Sequence, residues 1–297
     1  MRVLLAAIVF WLLVPASRGE AQSDVPRPSR TYIYREARGE SLHAYVFLPP
    51  GHPGAGRAHA ILLFHGGGWS AGAPEWTFAS ARRFADSGLV AIAIQYRLST
   101  GDVTPIDALE DACAAFEWTR GHAAELALSG RIAGYGVSAG GHLVAATATV
   151  GCPGKGSGPD ALLLWSPALD LVNDRWFASK LQGRGTAADL SPARHVGPST
   201  PPTSIVHGER DNLTPLAGVT SYCAALTKLG RTCDLHVYRG LGHLLTRNLA
   251  DQESAYDPDP KARADGILQH HRFLMRLGFV KPPQRGRTTN DGNSGRR

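Results

Sequence analysis

The sequence predicts an α/β fold: a sheet of about eight mostly parallel strands, with helices on both faces, in one domain. Three observations predict it. The central candidate strands, such as Ala60-Ile61-Leu62-Leu63-Phe64 and Ala161-Leu162-Leu163-Leu164-Trp165, are apolar throughout. A strand without period-two alternation is covered on both faces. From residue 60 onward, strand and helix patterns alternate. Finally, 297 residues with 43% hydrophobic and 19% charged side chains have the composition of a globular protein, and no internal repeat divides them.

Met1 to Ala21 reads as a secretory signal peptide. Arg2 supplies the charge, Val3 to Val14 the apolar run, and Ala16 or Ala21 the small residue before cleavage. The expected location is secreted or periplasmic, with no membrane partner once the signal is removed. Residues 22–30 form a Pro- and Arg-containing linker, and 31–280 the folded domain. Residues 281–297 are a Gly-, Arg- and Asn-rich tail, expected to be disordered. The net charge is +6; the tail holds five basic residues and one acidic one, so the body carries only about +2. No basic stripe with interleaved aromatics occurs, which argues against nucleic acid as a partner.

Within the domain, Tyr32-Ile33-Tyr34 and Ala44 to Leu48 read as an antiparallel hairpin. A Gly/Pro loop leads to the strand at 60–64, which ends in His65-Gly66-Gly67-Gly68-Trp69. Trp76 to Ser87 is helical, and Leu89 to Ile94 is a buried strand ending at Tyr96-Arg97. Ile106 to Arg120 is a helix with Pro105 in its first turn. Arg131-Ile132-Ala133 ends another strand, followed by Gly134 to His142 and an apolar helix from Leu143 to Val150. After the strand at 161–165, residues 171–200 are irregular and polar, with room for one short helix. Thr203 to His207 is a strand, Leu216 to Leu229 a helix, Asp234 to Tyr238 a strand, and Ala262 to Leu277 the last helix.

Four cysteines suit an oxidising compartment. Cys223 in a helix and Cys233 at the start of the next strand, joined by a short turn at Gly230, are expected to form a disulfide. Cys113 and Cys152 have no such local relation and read as free, buried thiols. No C-x-x-C pair or dense Cys/His cluster suggests a metal, and no cofactor is called for.

The chemistry concentrates at Gly136-Val137-Ser138-Ala139-Gly140. Strand, tight glycine turn, serine and helix are what a nucleophile elbow requires. A second G-x-S-x-G, around Ser70, is followed by Ala73-Pro74-Glu75, where no helix starts cleanly, so Ser70 reads as a loop residue. Downstream, Asp211 and His243 follow two consecutive strands, in the order serine, acid, histidine. Ser138 is the candidate nucleophile, His243 the general base and then acid, and Asp211 its orienting carboxylate. Glu209 and Asp170 are rival acids. His142 and His236 read as local structural residues, and His270 and His271 as surface residues. The oxyanion donors are assigned to the N–H groups of Gly67, Gly68 and Ala139, with His65 anchoring that loop. The glycine loop has neither the dinucleotide nor the Walker pattern.

Taken together, these motifs resemble the α/β-hydrolase fold. They are His65-Gly66-Gly67-Gly68-Trp69 with Gly72, Tyr96-Arg97-Leu98, Ser138 to Leu143, His207-Gly208-x-x-Asp211 and Gly242-His243. Within that fold, the stretch from Ser41 to Phe279 is similar to bacterial secreted acetyl esterases and bifunctional feruloyl/acetylxylan esterases. Similar secreted hydrolases also carry cysteines placed like Cys223 and Cys233. Leu244-Leu245 departs from the Gly-Phe common among relatives and falls on the acyl pocket. The resemblance implies a cofactor-free serine esterase for short acyl groups, with small-molecule or polysaccharide acyl esters as substrates. There is too little chain before the first strand for a large N-terminal cap, so an open site is expected, rimmed by Trp69, Trp76 and Trp176. Two alternatives remain: an amidase or peptidase using the same triad, or a non-catalytic binding module. The second ranks low because all three triad members are present.

Overall fold

The computed structural model describes residues 25–54, 56–152, 158–255 and 257–281. The signal segment and the tail beyond Lys281 lie outside the described residues. The strands are β1 (Arg30–Ala37), β2 (Glu40–Phe47), β3 (Ala58–Phe64), β4 (Val90–Ile94), β5 (Leu128–Val137), β6 (Ala161–Trp165), β7 (Thr203–Gly208) and β8 (Cys233–Tyr238). They form one sheet in the order β1-β2-β4-β3-β5-β6-β7-β8. β2 pairs antiparallel with both β1 and β4, and every pair from β4 to β8 is parallel. The helices are α1 (Phe78–Asp86), α2 (Pro105–Gly121), α3 (Ala139–Thr149), α4 (Arg175–Lys180), α5 (Leu216–Lys228) and α6 (Pro260–Arg276). No helix among the described residues is long and apolar enough to cross a membrane.

The apolar strands divide their side chains between two cores. Leu62, Phe64, Leu162 and Leu164 pack with α2, α3 and α5 on one face. Ile61, Leu63, Ala161 and Leu163 pack with α1 and α6 on the other. This double coverage is why β4, β6 and β7 are buried at every position. At the end of β4, the buried Arg97 guanidinium donates from Nε to Asp111 Oδ2 at 2.8 Å and from Nη2 to Asp111 Oδ1 at 2.9 Å. That forked ion pair fixes the chain leaving β4 against α2.

β5 runs further than the sequence suggests, continuing through Gly134 to Val137 instead of ending at Ala133. The glycines do not end the strand; they let α3 fold back onto it. A Cβ on Gly136 would sit 2.4 Å from the Gly140 carbonyl oxygen, and one on Gly140 would sit 2.3 Å from the carbonyl oxygens of Phe64 and His65. Strand and helix therefore approach as closely as backbone allows, and the residue between them is forced into a sharp turn.

Both pairs of cysteines are oxidised. Cys223–Cys233 joins α5 to β8, as expected. Cys113–Cys152, 39 residues apart, is also a disulfide, which corrects the reading of these two as free thiols. α2 and α3 lie side by side on one face of the sheet, and Cys113 on α2 meets the chain just after α3. Replacing both Cys113 and Cys152 with alanine is expected to cost roughly 4 kcal/mol, against roughly 3 kcal/mol for the shorter Cys223–Cys233 loop, from loop-closure entropy. For the longer loop this corresponds to a fall in Tm of roughly 8–16 °C. Thermal melts of the two double variants check both the size and the ranking.

Candidate active site

Ser138 lies between β5 and α3 with φ 52° and ψ −116°, a left-handed conformation that a serine adopts only under constraint. Its N–H donates to the Trp165 carbonyl at 2.9 Å, and its own carbonyl accepts from His142 N–H at 3.1 Å. The turn lifts the hydroxyl off the sheet, where it meets His243: Ser138 Oγ is 3.0 Å from His243 Nε2. His243 Nδ1 lies 2.8 Å from Asp211 Oδ2. Three residues from the ends of β5, β7 and β8 thus form one hydrogen-bonded chain.

The carboxylate of Asp211 is held from both sides. Oδ1 accepts the backbone N–H groups of Leu213 at 3.0 Å and Thr214 at 2.8 Å. Oδ2 accepts the Thr214 hydroxyl at 2.9 Å in addition to His243. Burial pushes this carboxyl up, but the His243 hydrogen bond and charge, with the Thr214 N–H, outweigh it and leave it below the usual carboxylate range. An ionised Asp211 accepts, so Nδ1 carries the imidazole proton and Nε2 is free to accept from Ser138. His207, buried beside Asp211 with Nε2 3.7 Å from Oδ2, is kept neutral by its own burial. The rival acids are elsewhere: Glu209 is exposed and accepts from Gly240 N–H, and Asp170 is exposed.

The glycine loop after β3 ties its carbonyls into its own turn. Gly67 O accepts from the N–H groups of Ser70 and Ala71, and Gly68 O from the Ser70 hydroxyl. Gly67 has φ 112°, and a Cβ there would collide with the Ala71 carbonyl oxygen at 2.1 Å. Among the described residues, no hydrogen bond occupies the N–H groups of Gly67, Gly68 or Ala139. Free N–H groups here, one of them at the first turn of α3, suit the developing negative charge of an acyl-transfer intermediate. His65 supports the loop: its ring stacks on Tyr96 at 4.3 Å, Nδ1 donates to Gly66 O, and Tyr96 Oη donates to His65 O at 2.8 Å.

Trp69 does not form part of a rim. It is 4% exposed, packed edge-on against Phe177 at 4.7 Å, and its indole N–H donates to His142 Nδ1 at 3.1 Å. The left-handed backbone at Trp69 turns the side chain inward, under the loop. Trp76 and Trp176 are exposed, at 65% and 55%. Trp76 lies edge-on to His65, and Trp176 on α4 brings its Nε1 to 3.6 Å from where a Cβ on Gly68 would stand. His270 also departs from its reading as a surface residue: it is 2% exposed, with Nδ1 3.1 Å from Ser204 Oγ, because α6 turns that side toward the sheet.

Sequence reasoning overlooked three residues around the triad. Thr214 is legible in hindsight as the Thr of an Asp-x-x-Thr turn. Ser166 and Gln252 have no local signature. Ser166 Oγ accepts from Leu244 N–H at 3.1 Å, and Gln252 reaches in from a loop that sequence alone leaves shapeless.

Comparisons with known proteins bear on the fold and on the class of reaction. Residues 61–193 match the family described as the alpha/beta hydrolase fold. Carboxylic ester hydrolase LipN of Mycobacterium tuberculosis is 41% identical over 104 residues, 33% of this chain and 27% of LipN. Esterase LipI of the same organism is 28% identical over 173 residues, 50% of this chain and 54% of LipI. These matches thus span less than two thirds of either curated relative. A solved structure of Thermogutta terrifontis esterase 2, phosphoramylated by tabun, is 30% identical, covers 85% of this chain and 96% of that one, and superposes with a TM-score of 0.75. The same esterase with butyrate bound is 29% identical, covers 87% of this chain and 97% of that one, and gives 0.76. With identity running almost the full length of a solved esterase, and with the family match spanning the strands and turns that carry Gly67 and Ser138, the chain belongs to the α/β-hydrolase fold family.

Proposed function

We propose that the protein is a secreted or periplasmic serine carboxylic-ester hydrolase that removes short acyl groups, chiefly acetyl, from carbohydrate. One observation carries the reaction type: the unbroken chain from Ser138 Oγ through His243 to Asp211, at 3.0 and 2.8 Å, beside the free N–H groups of Gly67, Gly68 and Ala139.

In this reading Ser138 Oγ attacks the ester carbonyl carbon while its proton passes to His243 Nε2. The oxyanion is held by the three backbone N–H groups. Collapse breaks the bond to the alcohol oxygen, which leaves with the proton from Nε2, and the acyl group stays on Ser138. Water then gives its proton to His243 Nε2 and attacks the acyl-enzyme, and the carboxylic acid departs as Ser138 recovers its proton. Asp211 stays ionised throughout and stabilises the imidazolium formed in each half-reaction.

The short acyl group rests on the likeness to an esterase solved with butyrate and with propionate. Carbohydrate as the alcohol half rests on the exposed Trp76 and Trp176 near the glycine loop, the Trp176 ring carrying Lys180 Nζ over one face at 4.2 Å and leaving the other for a sugar ring to stack on. Secretion rests on the signal-like first 21 residues and on two disulfides, which persist in an oxidising compartment.

The test is a p-nitrophenyl ester series run beside acetylated xylan. We expect kcat/KM to be greatest between acetate and butyrate and to fall at least about tenfold by octanoate. We also expect acetate release from xylan, reduced in a Trp176→Ala variant. A preference for octanoate would overturn the acyl assignment; intact xylan acetate would overturn the carbohydrate one.

A further inference from the structure

After His243 the chain makes an excursion before α6 begins. Its neck is closed by the Thr246–Pro258 bridge and by hydrogen bonds from Arg247 N–H to Asp257 O at 2.8 Å and from Asp259 N–H to Leu245 O at 2.9 Å. Inside the loop, Asn248 Oδ1 accepts from Ala250 and Asp251 N–H, and Asp251 Oδ1 accepts from Glu253 and Ser254 N–H. The closed neck and these side-chain turns hold the stretch from Asn248 to Ser254 in place.

Gln252, between those turns, points inward and is 5% exposed. Its Oε1 accepts from His243 N–H at 2.7 Å and from Asn212 N–H at 3.2 Å. Its Nε2 donates to the Arg210 carbonyl at 3.0 Å. The amide also lies flat against Gly242, where a Cβ would fall 2.5 Å from Gln252 Cδ. One side chain therefore ties the backbone on both sides of Asp211 to the backbone of His243. The two loops touch directly as well, since a Cβ on Gly208 would meet the Gly242 carbonyl oxygen at 2.2 Å.

This clasp has strain to hold. Leu244 and Leu245 follow His243 with φ 51° and 63°, and consecutive left-handed non-glycine residues persist only where the surroundings over-determine them. Ser166 Oγ secures Leu244 N–H from the opposite side. The backbone of His243 is thus held between Gln252 and Ser166, and both partners are buried.

We propose that Gln252 is a positioning residue that sets the separation of Asp211 from His243, and through it the approach of Nε2 to Ser138. It touches neither substrate nor the reacting atoms. Its kinetic consequence rests on the esterase reading above; its structural consequence does not.

Gln252→Met keeps the length and bulk of the side chain but removes both the acceptor and the donor. We expect kcat on p-nitrophenyl acetate to fall roughly 10- to 100-fold with KM within twofold, as for a small displacement of a catalytic group. We expect the low-field proton resonance of the His243 Nδ1–Asp211 hydrogen bond to disappear in the same variant. Gln252→Ala should behave alike with an added loss of Tm, and Glu253→Ala, an exposed neighbour in the same loop, should match wild type. A Gln252→Met kcat within threefold of wild type, a loss carried equally by KM, or a retained Nδ1 resonance would overturn the proposal. If the folded wild type hydrolyses no ester and is not labelled by paraoxon, the esterase reading fails, and the proton resonance still decides the role of Gln252.

Discussion

Replacing Ser138 with alanine is expected to lower kcat on p-nitrophenyl acetate about a millionfold, to the level that substrate binding and the oxyanion donors sustain alone. Asp211→Asn should cost about ten-thousandfold, and for a different reason. Asp211 Oδ1 accepts two backbone N–H groups, from Leu213 and Thr214. An asparagine would keep its carbonyl oxygen there and turn its NH2 toward His243 Nδ1, where Oδ2 now accepts. Nδ1 would then have to accept, and the proton would move to Nε2, facing Ser138. The ring would be held in place but in the tautomer that cannot take the serine proton. The two losses should not add: the Ser138→Ala/Asp211→Asn double variant should be no slower than Ser138→Ala alone. Steady-state rates of the three variants check this. Ser138→Ala activity above about one per cent of wild type would remove Ser138 from the nucleophile's role.

How much of this was legible in the sequence depends on whether the signal is local. The sheet was legible because β4, β6 and the stretch of β3 from Ala60 are covered on both faces and so carry no polar positions to confuse the pattern. Ser138 was legible against Ser70 because a helix follows one and Pro74 the other. Asp211 and His243 were legible from their places at the ends of two strands, and β7 and β8 pair in parallel, which brings them beside one another. The errors concern contacts between elements distant in sequence. Cys113 and Cys152 meet only because α2 and α3 share a face. His270 is buried because α6 lies against β7 with that side inward, and two adjacent histidines on a helix do not say which one faces the sheet. Trp69 follows the glycine loop as a rim residue would, but its positive φ sends the indole under the loop toward His142. Gln252 had no signal at all, because its place is defined by two other loops.

Those buried histidines carry the second large effect, an acid-dependent loss of stability. Burial lowers His65 to about 4, with the Gly66 carbonyl opposing it only in part. Burial likewise lowers His142 to about 4, although its Nε2 donates to Leu190 O at 2.9 Å. His270 falls to about 3, from burial and then from the nearby His236. In the unfolded chain all three titrate near 6.5. Between about 6.5 and 4 the unfolded state therefore binds three protons that the native state does not. Stability must rise with pH across that window, is complete above it, and is lost as pH falls through it. The unfolded rings are half protonated at pH 6.5 and almost fully so at 5.5, so the slope grows toward a limit of about 4 kcal/mol per pH unit and the step from pH 6.5 to 5.5 removes about 3 kcal/mol. Urea midpoints at pH 7.5, 6.5, 5.5 and 5.0 read this directly, and a midpoint unchanged from pH 7.5 to 5.0 would refute it. His270→Gln should remove about a third of the slope, because that ring lies beneath β7 and away from the glycine loop. His65 and His142 differ in a second way. His65 carries the backbone of Gly66 and, through Tyr96, the base of the oxyanion loop; His142 joins Trp69 in that loop to Leu190 in the segment bordering the site. Protonating either breaks or strains a contact that shapes the donors facing Ser138. In the folded protein those two rings take up protons only as pH falls toward about 4, whereas stability declines from about 6.5 because the unfolded chain takes them up; His270→Gln should therefore shift the unfolding curve and leave the contacts of the oxyanion loop unchanged.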